Sequence, residues 1–187
     1  MKQYLFILLL MSSWAFATDE IHEAAAKGDV GRVGDLIKKG VNVDWGTSKP
    51  ILAYLQTPLH KAAQGCHYDV VHLLLQTGVR VDPEDSEGKT PLMYAALHCS
   101  NVNIAKLLLR YGAHVNHKDK RYDTPLLYAT YGCNWHTMKI FKAYGADTKE
   151  LHILDSEDAN TPLSRAKRDC KNQSSLFALY WKYFEKK

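Results

Sequence analysis

An all-α solenoid of stacked helix-turn-helix units is the fold this sequence predicts, and three observations predict it. A phrase opening Thr-Pro-Leu occurs four times, at Thr57-Pro58-Leu59-His60-Lys61-Ala62-Ala63, Thr90-Pro91-Leu92-Met93-Tyr94-Ala95-Ala96, Thr124-Pro125-Leu126-Leu127-Tyr128-Ala129-Thr130 and Thr161-Pro162-Leu163-Ser164-Arg165-Ala166. Successive threonines lie 33, 34 and 37 residues apart, the period of a helical repeat array. A second apolar run follows each of the first three phrases and ends on a glycine, at Gly78, Gly112 and Gly145. Apart from these three, a cysteine keeps the same register, nine residues after each of the four threonines: Cys66, Cys99, Cys133 and Cys170.

Each element follows from local chemistry. Residues 1–17 combine Lys2, an apolar run from Tyr4 to Met11 and a small-x-small site at Ala15-Phe16-Ala17, the pattern of a cleaved secretory signal. The expected mature chain begins at Thr18 and resides in the periplasm, with secretion from the cell as the alternative. Translation begun at Met11 would lose the apolar core of that signal and leave a cytosolic form. The first unit, about 18–44, lacks the phrase but carries His22-Glu23-Ala24-Ala25-Ala26-Lys27-Gly28, then the stretch from Val33 to Ile37, and Gly40. The remaining units are about 45–82, 83–116, 117–148 and 149–187. Thr before Pro starts a helix in each phrase, because the hydroxyl can accept an orphan N–H and Pro at the first helical position has none to leave unpaired. The glycine after the second helix suits a left-handed closing residue. Short extended pieces, Val79 to Asp82, Ala113 to Asn116 and Ala146 to Thr148, then lead into polar turns, read as β-hairpin-like fingers. The aromatic stretch from Leu176 to Phe184 reads as a closing helix that hides the last core face.

The Thr-Pro-Leu-His-x-Ala-Ala phrase and its 33-residue spacing resemble the ankyrin repeat, and the resemblance covers nearly everything after residue 18. It implies an ankyrin-repeat solenoid of about five units whose role is to bind another protein. Exported bacterial proteins of this kind include immunity proteins that neutralise toxins delivered between cells, and oxidative-defence proteins linked to catalase. A periplasmic immunity protein acting on a toxic effector enzyme, such as a lipase, is the leading expectation. An oxidative-stress or haem- or metal-handling factor is the alternative, and a structural spacer a third. A monomer is expected when unbound.

The candidate docking residues follow from the departures from the repeat. Taking the residue after the Pro-Leu-His slot as outward, together with those three or four further on, places Lys61 and Gln64, then Tyr94, Leu97 and His98, then Tyr128 and Tyr131, then Arg165 and Arg168 along one surface. Tyrosine and arginine are common anchors of interfaces, and these side chains are expected outside the core. Packing of the tyrosines between units is the competing reading. The first finger carries five extra residues and is unusually apolar, with Trp45, Ile51, Leu52, Tyr54 and Leu55; it either folds back over the first unit or contacts a partner. The next finger is acidic (Asp82, Glu84, Asp85, Glu87) and the third basic (Lys118, Lys120, Arg121) around Tyr122. Solvation accounts for charged turns, and opposite signs would also orient a partner.

The cysteines replace the loop glycine that Gly28 retains in the first unit. An even number in an exported chain points to disulfides. In a solenoid only adjacent units approach within bonding reach, which favours Cys66–Cys99 and Cys133–Cys170. Packed helices about 8–10 Å apart would slightly exceed the roughly 7 Å Cα limit, a difficulty eased by the extra residue between Thr90 and Gly112. Free thiols, or metal or haem ligation through Cys66-His67, His98-Cys99 and Cys133-x-x-His136, stay open, although no CxxC or CxxCH occurs. A net charge of +4 from scattered residues does not argue for nucleic acid, and no membrane association is expected after signal removal. His22-Glu23 lacks a second histidine four residues on, and nucleophile-elbow, phosphate-loop and dinucleotide motifs are absent. No catalysis and no cofactor are expected.

Overall fold

The computed structural model describes residues 19–45 and 55–149. Eight helices account for the regular structure among the described residues: α1 (19–27), α2 (Val30–Lys38), α3 (Pro58–Gln64), α4 (Tyr68–Gln76), α5 (Pro91–His98), α6 (Asn103–Arg110), α7 (Pro125–Tyr131) and α8 (Trp135–Ala143). No strand occurs among the described residues, so the fingers are turns rather than ladders. The chain separates into two compact units, 1–91 and 92–187. The signal-like segment, most of the first-finger insert (46–54), the fourth phrase, Cys170 and the aromatic C-terminal stretch lie outside the described residues.

The phrases start helices as their chemistry dictates. Thr57 precedes α3 in extended backbone, and its N–H donates to His60 Nδ1 at 3.0 Å. Thr124 is likewise extended before α7, but there the hydroxyl caps the helix by accepting the Leu127 N–H at 3.4 Å. Leu59, Ala62 and Ala63 are buried with Val70, Val71 and Leu74, which is how α3 packs on α4. In the second unit Leu126, Ala129, Met138 and Phe141 are buried in the same register where α7 meets α8. Burial of a side chain of this size stabilises by about 1.5–3 kcal/mol.

The joints between repeats are polar. Within each compact unit one such joint has a side chain reaching an orphan carbonyl at the end of the preceding repeat's first helix. His67 Nε2 donates to Ala26 O at 2.8 Å, and Asn134 Nδ2 donates to Ala96 O at 2.7 Å. Both residues stand ten positions after the threonine of their own phrase. Gly132 makes the second joint possible, since a Cβ there would lie 2.2 Å from Leu97 O.

Candidate protein-docking surface

The two described polar fingers share one internal construction. In the first, the Asp85 N–H donates to Lys89 O at 3.0 Å, closing the turn, while Asp85 Oδ1 accepts the N–H groups of Glu87 (2.8 Å) and Lys89 (2.9 Å). In the second, the Asp119 N–H donates to Asp123 O at 3.0 Å, and Asp119 Oδ1 accepts from Arg121 (2.8 Å) and Asp123 (2.9 Å). Each aspartate is only 5% exposed. Neither belongs to the solvated charge of its finger. They are its internal braces. Sequence reasoning treated Asp85 as surface charge and passed over Asp119. The available signal was an Asp five residues before the Thr of two successive phrases.

The fingers are tethered to the helices in different ways. His60 is fully buried; its Nδ1 accepts from Thr57 and its Nε2–H donates to Lys89 O at 2.9 Å. Burial lowers its pKa from 6.5 to about 4, against opposing contributions from the Lys89 carbonyl and Asp85. His22 repeats this arrangement, donating through Nε2 to Trp45 O at 3.0 Å. Both histidines are thus bonded within the array. The third finger is held instead by Tyr128, whose hydroxyl donates to Asp119 Oδ2 at 2.8 Å and accepts from Arg121 Nη2 at 3.0 Å. Tyr131 donates to Asp123 Oδ1 at 3.2 Å and packs edge-on against Tyr128 with centroids 5.8 Å apart. Burial first, and the neighbouring carboxylates next, raise both phenol pKa values.

These contacts correct the expected surface. Tyr94 and Tyr128 do not lie outside the core: they are 9% and 3% exposed. The reason is reach. A tyrosine at the position held by Lys61 can lay its ring along the array, and the Tyr128 hydroxyl finds a carboxylate in its own finger. Tyr94 stacks on His98 with centroids 6.2 Å apart. Leu97 and Tyr131 are half-buried, and His98 is exposed. Trp45 and Tyr122, the two finger aromatics, are the most exposed large apolar residues described, at 62% and 75%. Exposed Tyr68, Tyr111 and Tyr144 were not singled out by the sequence; the last two each precede the left-handed glycine that closes a second helix.

Two of the three described cysteines occupy left-handed backbone. Cys66 and Cys133 have φ of 60° and 54°, like Gly28 at 76°. Cys66, Cys99 and Cys133 are all disulfide-bonded, and no described cysteine is free. Among the described residues no three His, Cys, Asp or Glu side chains converge as a metal site would need.

A family model of ankyrin repeats (three copies) matches residues 21–119. The chain is similar to alpha-latrotoxin-Lhe1a of Latrodectus hesperus, 38% identical over 76 residues, covering 40% of this chain and 5% of that protein. It is also similar to the 2-5A-dependent ribonuclease of Mus musculus, 35% identical over 80 residues, covering 40% of this chain and 10% of that protein. The match therefore spans a small fraction of either relative.

Proposed function

Since the chain belongs to the ankyrin-repeat family, whose repeats are typically non-catalytic and bind other proteins, we propose that it is an exported binding module acting as a periplasmic immunity protein. In this reading it occludes a toxic effector enzyme, such as a lipase, and so blocks it. The observation that carries the binding role is the pair of exposed finger aromatics, Trp45 and Tyr122. In the 92–187 unit Tyr131, Leu97 and His98 supply further contact area, while buried Tyr94 and Tyr128 hold that unit's surface in shape.

The signal-like pattern of residues 1–17 supports export. So do three cysteines in disulfides, a state that persists in oxidising compartments. The pairing proposed is Cys66 with Cys99 and Cys133 with Cys170. No observation favours the haem- or metal-handling alternative.

Cell fractionation and an effector challenge test the proposal. The chain should appear in the periplasmic fraction, protect cells against the effector encoded beside it, and inhibit that enzyme when the two are mixed pure. A cytosolic chain, or cells equally sensitive with and without it, would end the immunity reading.

A further inference from the structure

We propose that the 118–123 finger is a prebuilt docking knob, with Tyr122 as its anchor, for an apolar pocket rimmed by carboxylates on a partner protein. This deepens the protein-binding reading and rests on it. The first observation is backbone conformation. Tyr122 has φ of 65°, and the residue at the same place in the preceding finger is Gly88, at 78°. A left-handed conformation is natural for glycine and unfavourable for a bulky residue. An aromatic ring kept there, 75% exposed, contributes nothing to the core in return. Such outliers persist where the surroundings over-determine them, and they concentrate at ligand-contacting sites.

The second observation is the rigidity of the base. The turn is closed by Asp119 N–H to Asp123 O and by Tyr122 N–H to Asp119 O at 2.9 Å. Asp119 Oδ2 is fixed by Tyr128, and Asp123 by Tyr131. A knob already held in one shape loses little freedom on binding, which is how preorganisation raises affinity.

The third observation is charge. Both carboxylates of the finger are engaged inside it, and the Arg121 guanidinium lies 3.4 Å from Asp123 and 3.9 Å from Asp119. The exposed charges beside Tyr122 are all cationic: Lys118, Lys120 and Arg121. An exposed ring flanked by ammonium groups is complementary to an apolar pocket with an acidic rim.

The test places the photoreactive residue p-benzoylphenylalanine at position 122 of the full-length chain in its native host and maps the crosslinked peptide. The expected peptide belongs to a folded protein and carries acidic residues beside apolar ones. The purified partner is then titrated with Tyr122→Gly and Lys120→Glu. Tyr122→Gly should weaken binding about thirtyfold, yet raise the melting temperature by about 2–4 °C by relieving the backbone. Lys120→Glu should slow association and flatten its salt dependence. Crosslinking to a second copy, to nucleic acid or to a segment without acidic residues would overturn the proposal, as would no crosslink. Unchanged affinity or a lowered melting temperature in Tyr122→Gly would do the same. If Tyr122→Gly binds normally while the double substitution Leu97→Ala, His98→Ala does not, the knob fails and the protein-binding reading stands. If probes at positions 45, 98 and 122 all capture no protein, both fail.

Discussion

Protonating His60 should release the Thr57 N–H and destabilise the 1–91 unit, and the structure sets the size of the effect. The imidazole is held neutral, with Nδ1 accepting from Thr57 and Nε2–H donating to Lys89 O. Its pKa falls from 6.5 to about 4, chiefly through burial, with Asp85 opposing and Lys61 adding to the shift. Because the folded pKa lies below the unfolded one, the unfolded chain takes up the proton first as pH falls. Stability from this group is therefore complete above pH 6.5 and is lost progressively toward pH 4. At 1.36 kcal/mol per unit the full effect is about 3 kcal/mol, of which about 2 kcal/mol is lost between pH 7.5 and 5. The perturbation is His60→Met, because Met93 fills the same slot of the next phrase and is fully buried. Urea unfolding of both proteins at pH 7.5, 6 and 5, without reductant, subtracts the other histidines. His60→Met should be less stable by about 1–3 kcal/mol at pH 7.5, having stranded the Thr57 N–H and the Lys89 carbonyl. The gap should narrow by about 2 kcal/mol at pH 5. Parallel pH profiles for the two proteins would refute the reasoning.

Three further outcomes are expected. Asp119→Ala removes the acceptor of two backbone N–H groups and of the Tyr128 hydroxyl; it should cost about 2–4 kcal/mol in urea unfolding, with hydrogen exchange at Arg121 and Asp123 accelerated. Tyr128 and Tyr131 have raised pKa values, so stability from these phenols is complete below pH 10 and falls as pH rises above it; absorbance at 295 nm should show both still protonated at pH 11 until the chain unfolds. Non-reducing peptide mapping should recover Cys66 joined to Cys99 and Cys133 joined to Cys170, and reduction should lower stability by about 3–4 kcal/mol per closed loop of 33 or 37 residues. Alkylatable thiols in the native protein would contradict that pairing.

Helix positions were legible because they depend on nearest neighbours. Thr57 and Thr124 precede helices, and Gly78, Gly112 and Gly145 close them at φ of 81°, 94° and 84°. The surface was less legible, because exposure of a long side chain depends on where it can fold back. Lys61, Tyr94 and Tyr128 share one repeat position, yet Lys61 is half-buried while both tyrosines are buried. The braces at Asp85 and Asp119 were hidden for a different reason. A carboxylate that accepts backbone N–H groups looks, in sequence, the same as one facing water. Tyr122 was visible as a finger aromatic, but its glycine-like backbone required coordinates.

The left-handed cysteines have a consequence for how stability depends on surroundings. A glycine at position 66 or 133 would adopt its φ without penalty, whereas a cysteine there costs about 1–2 kcal/mol. In reducing solution the chain carries that penalty at both positions with no cross-link to offset it, and is a poorer folder than a version with glycine in the same loops. In oxidising solution the cross-link more than restores the loss. By exchanging an undemanding residue for a conditional one, the sequence makes its own persistence a reporter of redox potential. Serine and glycine replacements at these loops would therefore give different answers to how much each bridge contributes.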